Sequence, residues 1–283
     1  MLPSWIQEFV VKDKKMNPVL RKALCSSVLL ICSFASLKVA AAEYHFGINA
    51  EVSYSESEAE VRHRYGAFLD ELGKATGHKF VFSPVYSDRV DQAVATKQYD
   101  FLLIHTHAAL KAEKNNSYQL VGFTEDRKNN AVFFFVRPDS PIQTLPEIAG
   151  SRLGVPGLQS WATATARATL KAAAPTQEPK VVTTRFQDAV PLMVELNTAS
   201  VGISRSKKLV DDYVSRKKIH VVHTTQLMPL NALIAAPNVP ETLISEMRAA
   251  IATMAKSKVF EPLSFKGLRY SADESQRQRA FYQ

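Results

Sequence analysis

Apolar and polar positions follow two alternating periods along most of the chain. Tyr44-His45-Phe46-Gly47-Ile48 is a short strand-like run. A polar stretch separates it from Val61, Tyr65, Phe68, Leu69 and Leu72, whose spacing follows one face of a helix. Gly73 or Gly77 should close that helix, because glycine readily takes the left-handed conformation at a helix end. Lys79-Phe80-Val81-Phe82 predicts a second strand, Ser83 to Ser87 a loop, and Asp88 to Thr96 a short helix capped by Ser87 or Asp88. Phe101-Leu102-Leu103-Ile104 is apolar on consecutive positions, as a strand covered on both faces must be. Three strands separated by helices argue for an α/β fold with helices on both sides of a mainly parallel sheet.

The pattern then restarts. Ala131 to Val136 predicts a strand that leads into the turn Arg137-Pro138-Asp139-Ser140-Pro141. Ile142 to Ile148 predicts a short helix, Arg152 to Val155 a strand, and Ser160 to Ala174 an alanine-rich helix stopped by Pro175. Val181-Val182 opens another strand, Gln187 to Asn197 is a helix, and Ser200 to Ile203 and Ile219 to Val222 are strands. Asn231 to Ala236 runs back as an extended apolar segment, and Glu241 to Ala255 forms a closing helix. The second half thus repeats the element order of the first without repeating its sequence.

Position changes what the composition implies. The 283 residues carry a formal net charge of +8 and two cysteines, features that on their own invite nucleic-acid and disulfide readings. From Met16, however, Arg21 and Lys22 precede an apolar stretch from Ala23 to Leu37, followed by Ala40, Ala41 and Ala42. This is the pattern of a secretory signal peptide with cleavage expected after Ala42, the apolar stretch being short for a membrane span; an uncleaved anchor is the alternative. Residues 1–15 read as an upstream extension. Cys25 and Cys32 both fall in the leader, as do six of the Lys and Arg residues against two acids, so the remaining 241 residues have no cysteine and a net charge of +4. Such a body suits the periplasm and carries no basic run with interleaved aromatics for nucleic acid.

The element order, taken with FLLIHTHAAL (101–110), AVFFFVRPDSPIQTLPEIAGSRLGVPG (131–157), ASVGISRSKKLV (199–210) and MPLNALIAAPNVPE (228–241), resembles the periplasmic substrate-binding proteins of phosphate, phosphite and phosphonate ABC transporters. The resemblance spans residues 43 to about 260. It implies a two-lobed periplasmic-binding-protein-like fold, each lobe a mainly parallel sheet flanked by helices, with the ligand in the cleft between them. On this sequence it implies lobe one at 43–132 plus 230–283 and lobe two at 133–229, with residues 1–42 as extension and signal peptide. It also implies a small anionic solute as ligand, an ABC permease as partner, no cofactor and no catalysis. A monomer is expected.

Two segments are the physical candidates for the ligand site. The helix beginning near Ser160 offers unpaired N–H groups and the positive end of its dipole, with Gly157, Gln159, Ser160 and Thr163 close by. An ordinary capped helix start is the plain alternative, and Trp161 stands where the family has small hydroxyl residues. It would line the cleft, stack on a ligand or pack between elements. The loop His105-Thr106-His107 follows the third strand, where open α/β sheets bind ligands. The family commonly has Gly-Pro-like residues there. The two histidines fit donors to an anion, their charge tuned by pH, better than a metal site lacking a third ligand. Tyr86 matches an aromatic at the family's cleft edge, and Asn49 and Tyr54 fall on a neighbouring rim. Asn129 and Asn130 precede the first crossover, as hinge or ligand contact. Ser204 and Arg205 follow a strand, and Arg205 would pair with an anion unless it is a surface arginine beside Lys207 and Lys208.

The favoured function is capture of a small anion for import. A periplasmic sensor reporting to a membrane partner keeps the same fold and is motivated by His105, His107 and Trp161. A metal-dependent hydrolase using the two histidines is the weakest reading, since no nucleophile elbow or catalytic carboxylate pair is recognisable.

Overall fold

A computed structural model describes residues 41–49, 56–128, 130–173 and 178–282. Residues 1–40, which hold the extension and most of the leader with its two cysteines, and also Tyr54 and Asn129, lie outside the described residues.

The chain forms two sheets. The first contains β1 (Glu43–Ile48), β2 (Lys79–Pro84), β3 (Phe101–His105), β4 (Gln119–Asp126), β10 (Asn231–Ala235) and β11 (Phe265–Arg269), in the order β11-β4-β10-β3-β1-β2. The second contains β5 (Phe133–Val136), β6 (Arg152–Pro156), β7 (Lys180–Thr184), β8 (Val201–Ser204) and β9 (His220–Thr224), in the order β7-β6-β8-β5-β9. In the first sheet β1 to β4 run one way, with β10 and β11 reversed; in the second β5 alone is reversed. Each sheet is therefore mainly parallel in direction. A returning strand sits inside each, β10 between β3 and β4 and β5 between β8 and β9.

Helix α1 (Glu58–Thr76) shows how local sequence fixes an element. The Ser57 hydroxyl accepts from the Glu60 N–H while the Glu60 carboxylate accepts from the Ser57 N–H, a reciprocal box that satisfies the first-turn donors. Val61, Tyr65, Phe68, Leu69 and Leu72 are buried under the first sheet, and Gly77 at φ +72° ends the helix. Phe101 to Ile104 are fully buried, as their unbroken apolar run predicts. Helix α2 (Val90–Ala95) starts later than its sequence suggests: Ser87–Arg89 is a 3-10 turn, and neither Ser87 nor Asp88 caps the helix. Ser87 Oγ instead accepts from Asn49 Nδ2 at 3.3 Å, tying the turn to the end of β1.

Helix α3 (Thr106–Asn116) begins at once after β3, so His105, Thr106 and His107 form a strand end and a first helical turn, not the expected loop. Ile142 to Ile148 yields only a 3-10 turn at Pro146–Ile148, because Glu147 accepts from the N–H groups of Gln143 and Thr144 and holds the chain ahead of the turn open. The second sheet is covered by α4 (Trp161–Ala173), α5 (Ala189–Glu195) and α6 (Lys207–Ser215). Adjacent phenylalanines of β5 point to opposite faces, Phe134 into a core with Trp161 and Leu170, Phe135 into one with Val190 and Val194. Helix α7 (Glu241–Thr253) packs on the first sheet, whose last strand leads into α8 (Ala272–Tyr282).

The chain passes between the sheets twice, at 127–132 and 225–230. These segments are bonded side by side: Met228 N donates to Asn130 O at 3.1 Å, Thr225 N to Val132 O at 3.0 Å, and Val132 N to Thr225 Oγ1 at 2.9 Å. Asp126 Oδ2 accepts from both Asn130 Nδ2 and Leu230 N at 2.8 Å. Asn130 is thereby committed to the crossovers.

Candidate functional site

A cleft of about 490 Å³ is lined from both sheets. The first sheet and its helices contribute Asn49, Ser87, His105, His107 and Lys111. Each follows or closely flanks the carboxyl end of β1, β2 or β3, where diverging loops leave a crevice in open α/β sheets. The opposite wall is Gln159 and the flank of α4, and Tyr282 enters from α8. Ala164, Arg167, Ala168 and Lys171 all line the cleft. Their spacing is that of a single helix stripe, two alanines leaving room beside two cations.

His105 ends β3 with Nδ1 2.8 Å from Asn231 Oδ1. Burial depresses its pKa to about 4, with the positive charge of Arg205 acting in the same direction. Burial likewise takes His107 to about 3, aided by repulsion from His105, even though the Gln159 backbone carbonyl accepts a bond from it. Both rings are neutral near pH 7, which corrects the expectation of a histidine charge tuned around neutrality. The Gln159 bond links α3 to the chain leading into α4, and the buried His107 Nδ1 has no partner among the described residues. Since a neutral ring carries one N–H, that nitrogen is a lone-pair acceptor enclosed behind the cleft wall. Among the described residues no group of three or more potential ligands could hold a metal ion.

Three cations and two carboxylates line the same space. Lys111 is paired with Asp91 at 3.0 Å. Lys171 and Glu178 are the second cation and acid, whereas Arg167 makes no ion pair or hydrogen bond among the described residues. An unengaged, exposed guanidinium on a helix stripe shared with two alanines and a lysine is a ready partner for two oxygens of an anion.

The other expected residues are placed elsewhere. Ser160 Oγ accepts from Thr163 N at 3.1 Å, and Thr163 Oγ1 donates to Gly157 O at 2.7 Å. These hydroxyls serve the start of α4. Trp161 is 2% exposed and belongs to the core of the second sheet. Thr106 Oγ1 donates to Pro229 O at 2.8 Å and fixes α3 to the second crossover. Ser204 Oγ accepts from Ser206 N at 3.0 Å. Tyr86 precedes the 3-10 turn, and exposed Arg205 acts electrostatically on His105 and Asp126; neither lines the cleft. Of the ten expected residues the cleft gathers His105, His107 and Gln159. Ser87, Lys111, Arg167, Lys171 and Tyr282 are lining residues that sequence reasoning missed. The 164, 167, 168, 171 stripe was the available signal for two of them.

Comparison with known proteins bears on what this arrangement is for. A model of the family described as ABC transporter, phosphonate, periplasmic substrate-binding protein matches residues 52–275. The chain belongs to this family. Its members are non-enzymatic periplasmic components of transport systems. No curated protein matches the sequence. Among solved structures, a Xanthomonas citri protein bound to ATP is 15% identical with a TM-score of 0.66, over 85% of this chain and 95% of that one. PhnD1 from Prochlorococcus marinus in complex with methylphosphonate is 12% identical with a TM-score of 0.55, over 84% and 96%. The binding component of a phosphonate ABC transporter from Pseudomonas aeruginosa is 15% identical with a TM-score of 0.53, over 86% and 87%. At these identities the likeness is one of fold, here that of a two-lobed periplasmic binding protein. No helix among the described residues is long and apolar enough to cross a membrane.

Proposed function

We propose that the protein captures a small phosphorus oxyanion in the cleft and delivers it to an ABC permease. Residues 43–132 plus 230–283 and residues 133–229 act as the two lobes, and paired crossovers serve as the hinge. The leader directs export and is removed after Ala42, leaving a monomeric periplasmic protein. The observation that carries the reading is Arg167, a cation without an ion-pair partner among the described residues, facing a cleft whose other wall carries the polar side chains Asn49, Ser87, His105 and His107 and the Lys111–Asp91 pair. Asn49, Ser87, His105, Lys111 and Gln159 complete the proposed binding set, and Lys171 adds positive charge. Ser160, Trp161 and Thr163 support it from behind by shaping the start of α4.

Methylphosphonate and ATP, the ligands of the two neighbours, both present phosphorus oxygens. A cleft of about 490 Å³ has room for a substituent beyond the bare anion. The test is a thermal-shift series with phosphate, phosphite, methylphosphonate, ATP and sulfate. At least one phosphorus compound should raise the melting temperature in a saturable way, and sulfate should not.

A further inference from the structure

Helix α8 belongs to the first sheet by connection, since it directly follows β11. It is held there by Arg279, whose Nε and Nη2 each donate to a different Glu113 carboxylate oxygen of α3 at 2.7 Å. Such a two-bond pairing fixes direction as well as distance. The helix is otherwise polar: Ser275 and Gln278 are its buried residues, and its aromatic residues are concentrated at the end, in Phe281 and Tyr282.

That end reaches the other side of the cleft. The Tyr282 hydroxyl is 2.9 Å from Thr165 Oγ1 on α4, and Phe281 packs against the core of the second sheet that contains Trp161 and Leu170. The Tyr282 ring also lines the cleft and lies 6.3 Å from the His107 ring of α3. One helix therefore grips α3 with its arginine and α4 with its terminal aromatics. Rotation about the crossovers that separates α4 from α3 must break the Tyr282–Thr165 bond and strip Phe281 of its packing.

We propose that α8 is an interlobe latch: Tyr282 and Phe281 hold the cleft closed before ligand arrives, and Tyr282 forms an end wall of the ligand site. A latch of this kind raises the closed fraction of the free protein. Apparent ligand affinity rises in proportion, because the binding-competent state is no longer rare. The latch itself rests on contacts that need no ligand; only the end-wall role rests on the proposed function of the cleft.

The experiment uses the full chain with Cys25→Ser and Cys32→Ser and spin labels at Lys74→Cys on α1 and Lys208→Cys on α6, both exposed positions. Ligand-free protein should give one dominant label-to-label distance. Tyr282→Ala should shift the distribution to longer, broader values, Thr165→Val should shift it in the same direction by less, and Phe281→Ala should act like Tyr282→Ala. Thr165→Val keeps the aromatic packing and so guards against a variant that simply fails to fold. Methylphosphonate titration of the same variants should show roughly five- to tenfold weaker binding for Tyr282→Ala, following the loss of closed fraction. An unchanged ligand-free distribution in folded Tyr282→Ala and Thr165→Val protein would overturn the latch, whatever the titration shows. A shifted distribution with methylphosphonate affinity equal to that of the parent would keep the latch and overturn both the end wall and the link between closed fraction and affinity. A shifted distribution with no methylphosphonate binding even by the parent would count against the proposed ligand, and leave the latch supported.

Discussion

Single side chains in the cleft are poised by what they lack. Arg167 makes no ion pair among the described residues, although Asp91 and Glu178 line the same cleft, and it projects from a helix stripe whose neighbours at 164 and 168 are alanines. Replacing it with alanine should weaken oxyanion binding about tenfold or more, the cost of one charge-assisted interaction, and lysine should restore part of the loss. Calorimetric titration of the three proteins checks this. The histidines make a second prediction, in which the sign matters. Both have folded pKa values, about 4 for His105 and about 3 for His107, below the ordinary 6.5. Between those values the unfolded chain binds more protons than the folded one. Their contribution to stability is therefore complete above about pH 6.5 and is lost as pH falls toward 4 and below. Melting temperature should drop over that window, and His107→Gln should flatten the drop. Between pH 7 and 8 these two groups should leave both stability and ligand affinity unchanged.

Elements differ in how plainly the sequence announces them. The helical spacing from Val61 to Leu72 and the unbroken Phe101–Ile104 run each had one physical solution, and both formed as expected. Ser57 was overlooked although Ser57 and Glu60 have the spacing of a capping box, the signal that could have placed the helix start. Loss of its cap in Ser57→Ala should cost about 1 kcal/mol, read from the urea midpoint. Strand β4 escaped notice because Gly122 and the charged end Glu125-Asp126 interrupt its apolar run, and β11 because Lys266 and Gly267 leave so few buried positions. Helix α8 has neither an apolar stripe nor a glycine stop. It forms where Arg279 and the final aromatics find partners more than a hundred residues away, information that periodicity does not contain. The His105–His107 segment was misread for a related reason. A loop usually intervenes between strand and helix, but here the Thr106 N–H is accepted by Leu230 O, so the turn is braced from the second crossover and no extra residues are needed. In the second sheet, Gly202 is fixed by packing: a methyl group there would collide with the Phe135 ring and with Val194. Gly202→Ala should destabilise the protein by about 1–3 kcal/mol in chemical denaturation.

At the scale of the whole molecule, two sheets share one cleft, two adjacent crossovers connect them, and α8 touches both sides. Most of the strand order was legible as a pattern, and with it the family. The placement of the binding surface was less so. Sequence reasoning aimed at the helix tip around Ser160, whose hydroxyls are used in starting α4, while the open space runs along the flank of that helix past Arg167. A ligand bound across such a cleft contacts both sheets, so it should stabilise the chain as a unit and couple occupancy to closure. The central claim is that a phosphorus oxyanion binds against Arg167. Isothermal titration of the parent protein and Arg167→Ala with phosphate, phosphite and methylphosphonate tests it most directly. The account predicts saturable one-to-one binding of at least one of these by the parent, at least tenfold weaker in Arg167→Ala. Binding by the parent that Arg167→Ala leaves unchanged, or no binding of any of the three, would contradict it.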